Sequence, residues 1–347
     1  INPGEINPLD ADSDVLFRKQ AQEKGLESAL FISDKFKISD KFLLDLGIRY
    51  SYYLSLGEGI QNVYDPNYPL SEETILETRE YGNYEKIKSY GNPEVRASIR
   101  YAINPDISIK AAYNNTVQYI HMMSSNTTAS PVDSWKLSNL NIAPQKSDQY
   151  SLGLFSYFKD KTYEFSLEGY YKKMKDILDF KVGAELLLNE NLETELLQGE
   201  GEAYGAEILL KKKKGKLNGW IGYSYSRSLM KLDSEFLVDR VNDGAYFPTN
   251  HDRPHDLNVI ANYKLTKRYS FSMNFVYQTG RPITYPVGRY TYAGIEQVLY
   301  SDRNQYRIPD YYRFDFGINI EGNHKVKKLA HSFWNISVYN VFGRNNP

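Results

Sequence analysis

"DYYRFDFGINIE", residues 310 to 321, places Tyr312, Phe314, Phe316, Ile318 and Ile320 at every second position, with Arg313, Asp315, Asn319 and Glu321 in the gaps. Successive side chains of a β-strand point to opposite faces, so the stretch has one apolar side and one polar, charged side. It predicts a strand with an apolar medium against one face and water against the other. The same alternation recurs in "FLLDLGIRYSY" (42 to 52), "VRASIRYAI" (95 to 103), "YEFSLEGYYKK" (163 to 173) and "YSFSMNFVYQ" (269 to 278). About twelve such segments follow from the alternation rule, and none of comparable length carries a helical period.

The links between these segments are of two kinds. Short turns are predicted near 34 to 41, 104 to 106, 159 to 161, 213 to 216, 264 to 268 and 322 to 331. Long polar stretches are predicted at roughly 55 to 88, 120 to 147, 183 to 200, 230 to 255 and 279 to 309. Short and long links alternate, which is the habit of an outer-membrane barrel with short periplasmic turns and long external loops. A large soluble β-protein with one face on a core also alternates along its strands. It has no reason to keep every long link at one end.

The 31 tyrosines among 347 residues point the same way, because a ring with a wet hydroxyl suits strands and oil-water boundaries. Tyr157, Phe158 and Tyr163 flank one short turn, Tyr263 and Tyr269 another, and Phe36 and Phe42 a third, as a girdle at the periplasmic interface would require. A formal net charge of -1 without a sustained cationic segment offers nothing to nucleic acid. The absence of cysteine removes disulfides and thiolate chemistry. No apolar run of about 18 residues is present, so no transmembrane helix is expected. The fold class read from these features is all-β: a transmembrane antiparallel β-barrel, with residues 1–347 part of one barrel domain. With a first strand at about 26 to 36 running down and 332 to 340 running up, both visible ends sit outside the cell, so further strands are expected beyond each end.

Eight stretches in order then carry a resemblance: "NPEVRASIRYAINPDISIKAAYNNTVQYIHMM", "IAPQKSDQYSLGLF", "LEGYYKKMKDI", "GEAYGAEILLKKKKGKLNGWIGYSYSRS", "DRPHDLN", "TGRPIT", "RIPDYYRFDFGI" and "NISVYNVFGRNNP". Together, over about residues 25 to 347, they resemble the barrel of TonB-dependent outer-membrane receptors, nearest to the Bacteroidetes type with a carboxypeptidase-regulatory-like N-terminal domain. The resemblance implies twenty-two strands, of which about twelve are visible, plugged by an N-terminal domain and importing a scarce ligand with energy passed through TonB. Neither plug, TonB box nor final strand is within this sequence. Implied surroundings are outer-membrane lipid and lipopolysaccharide, with a surface lipoprotein or other envelope proteins as further partners. A passive porin-like barrel and a scaffold within a larger outer-membrane complex stay open as alternatives.

Candidate chemistry is sparse. No nucleophile, base and orienting acid fall on one strand face, so no catalytic residue, metal site or cofactor is assigned and no enzyme is expected. "HDRPHD" (251 to 256) has no closed ligand set, and "HMM" (121 to 123) is a weak soft-metal signal. Lys211 to Lys216 lacks the glycine spacing of a phosphate loop. Arg313, Asp315, His255 and Asp256 are expected to form a lumenal charge network. Ligand contacts are expected from the extracellular stretch 279 to 309 through Tyr285, Arg289, Tyr290, Tyr292, Tyr300, Arg303 and Tyr306, because tyrosine and arginine anchor recognition surfaces.

Overall fold

A computed structural model of the chain describes residues 5–6, 18–19, 22–123, 134–184, 189, 191–322 and 332–347. The alternating segments become twelve strands on one antiparallel path that follows chain order without crossover. They are β1 (Lys24–Lys37), β2 (Phe42–Leu56), β3 (Lys86–Asn104), β4 (Ile107–Gln118), β5 (Gln145–Phe158) and β6 (Tyr163–Phe180). The path continues through β7 (Leu196–Lys212), β8 (Leu217–Lys231), β9 (His255–Lys264), β10 (Tyr269–Gln278), β11 (Tyr311–Glu321) and β12 (Phe333–Val338). A two-residue strand, Phe247–Pro248, adds to β8 off this path. β1 and β12 form the two edges of the sheet. No α-helix occurs among the described residues, only short 3-10 turns. The predicted turn at 322 to 331 lies, beyond Gly322, outside the described residues.

Burial runs opposite to that of a water-soluble protein. On the polar side of the sheet Ser51 is 0% and Glu94 4% exposed, whereas on the apolar side Ile48 is 49% and Leu152 61% exposed. Soluble folds bury their aliphatic side chains and leave ions wet. Here the polar side is covered and the apolar side is bare, which fits hydrocarbon outside and polar contents inside. The covered, inner side is held by polar pairs: Arg49 reaches Glu27 at 2.6 Å and Glu94 at 3.6 Å. Tyr119 stacks on Tyr53 at 4.7 Å, and its hydroxyl meets Ser51 at 2.8 Å and accepts from the Asn92 amide at 2.9 Å.

Strand register arranges the outer rings in rows that spacing along the chain does not show. Tyr113, Tyr150, Tyr171 and Tyr204 sit side by side on β4 to β7, and the Tyr113 and Tyr150 rings are 5.0 Å apart. A second set of rings lies near the short turns: Phe42 edge-on to Tyr101 at 6.2 Å, and Phe158 stacked on Tyr163 at 5.0 Å. Two aromatic belts bracketing an apolar band are what the two interfaces of a bilayer favour. Tyr157 leaves the expected girdle: it pairs in register with Glu164 on the inner side, opposite to Phe158. Another row runs Tyr101, Ile109, Leu154, Leu167, Ile208, Tyr223, Leu257, Tyr277, Tyr312. It begins near the short-turn end of β3 and ends near the long-loop end of β11, so the strands are tilted as barrel strands are.

The alternation therefore sets a test on two neighbours of opposite face. Phe316→Asp places a charge on the outer band and should impair membrane assembly by roughly 2 kcal/mol, read as a lost heat-shift of the folded barrel on a gel. Asn319→Asp, whose side-chain oxygen already accepts from Asn335 on the inner face, should assemble almost normally in the same heat-shift assay.

Candidate functional site

The long links gather at one end of the sheet, and several carry strands of their own. Gly59–Tyr64 pairs with Ile75–Tyr81, Ile120–Met123 with Ser134–Leu137, and Pro286–Tyr292 with Ile295–Tyr300. These paired strands lie within the predicted long polar stretches, where runs of four to seven residues are too short for alternation to stand out.

The stretch 279 to 309 starts and returns at one point. A Cβ on Gly280 would lie 1.7 Å from the Ile308 carbonyl oxygen, so only glycine admits this crossing. The Gly280 N–H donates to Asp310 at 2.9 Å. Beyond the crossing, Tyr285 packs edge-on against Tyr306 at 6.0 Å. Arg289, Tyr290, Tyr292 and Tyr300 stand on the exposed hairpin, with Arg289 bonded to Glu296 at 3.2 Å. Arg303 does not join them. Its guanidinium donates to Asp179 at 2.8 Å and to the Phe180 carbonyl at 2.6 Å, tying this loop to the end of β6.

The four residues expected in a charge network also divide. Arg313 donates to Asp315 at 2.9 Å, and Asp315 further accepts from the Asn340 N–H at 2.9 Å and the Asn274 amide at 3.4 Å. Asp256, on the same inner side, accepts from Gln278 at 2.7 Å and from Asn258. His255 is a correction. It shares the parity of Leu257, Val259 and Tyr263, so it faces outward. There it accepts from or donates to the Tyr223 hydroxyl at 2.8 Å and lies 5.4 Å from the Tyr225 ring, as part of the aromatic belt.

Asp252 is the hub that the motif "HDRPHD" concealed. Its side chain is wholly buried, accepts from Arg227 at 3.2 Å and the Ser228 N–H at 2.7 Å, and is paired with Arg307. Arg307 also donates to the Asp252 carbonyl at 2.7 Å and the Gly280 carbonyl at 3.0 Å. One carboxylate thus joins β8, the link before β9 and the 279 to 309 loop. His121, in "HMM", is 3% exposed, with Nε2 3.0 Å from the Ser138 hydroxyl. Burial pushes its imidazole down to about 4, so it is neutral. No cluster of three metal-ligating side chains occurs among the described residues.

Spacing could not have revealed the two cavities between these loops. One, of about 500 Å³, is lined by Tyr64, Asp65, Arg79, Ile142, Leu196 and Phe236 among others. The other, of about 480 Å³, is lined by Lys24, Gln61, Lys136, Asn139 and Asn191 among others. Glu193 lines both. The partition is polar: Tyr64 donates to Glu193 at 3.1 Å, Asn62 to Asn191 at 2.9 Å, and Thr78 to Asn62 at 3.0 Å. Burial, and then the Glu193 carboxylate, push the Tyr64 hydroxyl well above its ordinary value, so it stays a donor. Concave, mainly apolar surfaces with a few fixed polar groups are what ligand sites look like. Tyr64 and Glu193 are 129 residues apart, so no motif could have joined them.

The sequence model of the family described as "TonB dependent receptor-like, beta-barrel" matches residues 2–341. Among curated proteins, no sequence match is found. Of the solved structures, the ferric-catecholate import receptor Fiu of E. coli K12 in its closed form aligns over 93% of this chain and 41% of its own, at 14% identity and TM-score 0.57. The FrpB iron transporter of Neisseria meningitidis aligns over 94% of this chain and 42% of its own, at 14% identity and TM-score 0.58. The pyoverdine outer-membrane receptor FpvA of Pseudomonas aeruginosa PAO1 aligns over 96% of this chain and 40% of its own, at 14% identity and TM-score 0.58. The chain therefore spans about two fifths of the length of these proteins.

Two outcomes test the geometry. Asp252→Ala leaves Arg227 and Arg307 without their shared carboxylate and should loosen the 279 to 309 loop by roughly 3 kcal/mol, seen as faster proteolysis within it. His121 binds its proton more weakly folded than unfolded, so its contribution is complete above pH 6.5 and lost as pH falls towards 4. Amide exchange in the Ile120–Met123 hairpin should accelerate over that window, and His121→Gln should remove the acceleration.

Proposed function

This chain belongs to the TonB-dependent receptor-like β-barrel family, and on that premise we propose that it is the ligand-recognising wall of an outer-membrane receptor that imports a scarce ligand. The observation carrying this is the inverted burial, apolar outside and polar inside, combined with loop cavities at one end of the wall. In this reading the long links are extracellular and the short turns periplasmic. Energy comes from TonB acting on a plug domain of the kind that the family likeness implies.

Ligand recognition is assigned to two layers. Tyr285, Arg289, Tyr290, Tyr292, Tyr300 and Tyr306 make the first encounter, offering wide ring area and directional donors. The cavities about Tyr64, Arg79 and Glu193 then take a compact ligand rich in hydrogen-bonding groups. Arg303 acts as a strut for the loop instead of a contact. Arg313, Asp315 and Asp256 line the interior, where ionisable groups are ordinary in a barrel. The neighbouring receptors are named for ferric-catecholate, pyoverdine and iron, which makes ferric siderophores the first ligands to test.

A strain lacking this gene should lose uptake of one such ligand and regain it with the full-length protein, but not when TonB is also deleted. Uptake that persists without TonB would support the passive-barrel reading instead. Glu193→Gln should weaken binding of that ligand by about tenfold with no loss of folded protein, the usual scale for a charge-assisted hydrogen bond. Unchanged affinity would remove the inner cavities from the site.

A further inference from the structure

The turn end of the wall differs in charge from the loop end. The five described short turns, residues 38–41, 105–106, 159–162, 213–216 and 265–268, hold eight lysines or arginines against three aspartates. The long link 57–85 alone holds seven carboxylates against one arginine. The cations at the turn end are also placed against the outer face. Lys159 and Lys212 both stand over the Tyr163 ring, 5.6 and 5.7 Å from its centroid, and Arg268 stands over Tyr269 at 5.8 Å. Tyr163 and Tyr269 share the parity of Leu167 and Met273, so they belong to the apolar side.

Neither Lys159 nor Lys212 has a carboxylate partner among the described residues, whereas Lys213, on the inner side, is bonded to Glu164 at 2.7 Å. At the next turn a concavity of about 600 Å³ is lined by Lys216, Lys264, Lys267 and Arg268, with Glu321 its one acidic member. An unpaired ammonium held at the water edge of a lipid-facing ring fits one kind of neighbour: a phosphate whose acyl chains run along the apolar band.

We infer that the turn-end rim is a binding collar for anionic phospholipid headgroups of the periplasmic leaflet, centred on Lys159, Lys212 and Tyr163. The aromatic ring sits at headgroup depth, the two lysines neutralise the phosphate, and the row from Phe158 to Leu167 takes the acyl chains. The collar rests on the receptor reading only for which side the short turns occupy.

The test uses the full-length protein from outer membranes, reconstituted in nanodiscs of phosphatidylethanolamine mixed with cardiolipin, with retained lipids read by native mass spectrometry. Cardiolipin should be retained in preference to phosphatidylethanolamine, and the preference should fade in high salt. Lys159→Gln with Lys212→Gln should lower it roughly tenfold, while Lys159→Arg with Lys212→Arg should keep it. Equal retention of the two lipids, a preference that survives high salt, or an unaffected glutamine pair overturns the collar. If the glutamine pair does not assemble, the salt titration of the unmutated protein decides alone. Retention of lipopolysaccharide in place of cardiolipin overturns it too, by placing the rim in the other leaflet. Ligand uptake is a separate readout: a protein that selects cardiolipin yet imports nothing keeps the collar and loses the receptor reading.

Discussion

Hydrocarbon offers no hydrogen bonds, so every backbone N–H and C=O within it needs a partner from the chain itself. A ladder of antiparallel strands, each paired with the next, meets that demand with the shortest turns. The twelve-strand path in chain order is the direct consequence. Once the ladder is in place, side-chain parity does the rest. One face must dissolve in lipid, leaving Leu152 and Ile48 bare, and the other can hold Ser51, Glu94 and Asp315 under cover. The polar core and apolar surface are two expressions of one solvent boundary.

The ladder also decides where the chain is free to vary. Strand ends on one side are joined by a few residues, while on the other side long links fold back, pair within themselves and lock together through buried polar contacts. Asp252 joins three segments by one carboxylate, and Glu193 stands between two cavities by accepting from Tyr64. Such ties fix loops that have little apolar area to bury. Arg303, a recognition candidate by residue type, makes one such tie and holds its loop to β6.

Legibility followed the range of the forces involved. Alternation is local, so the strands, their faces and their number could be read from stretches such as 310 to 321 and 42 to 52. Arg313 and Asp315 fall on the inner side and bond to each other because they are two apart on one strand. His255 faces outward because it shares the parity of Leu257, although its polar company in "HDRPHD" suggests the lumen. The upper row of Tyr113, Tyr150, Tyr171 and Tyr204 went unseen, since each tyrosine sits at its own distance from a turn and only interstrand register aligns them.

The order of residues by itself determined a two-faced wall with short links on one side and long ones on the other, because a period of two and the polarity of turns are properties of neighbouring residues. Tertiary structure alone decided which side chains meet across that wall: the tilt that carries one row from Tyr101 to Tyr312, the grip of Asp252 on Arg307, and the cavities flanked by Tyr64 and Glu193. Those contacts join residues tens to more than a hundred positions apart. Their geometry comes from register and loop return, which no local pattern encodes.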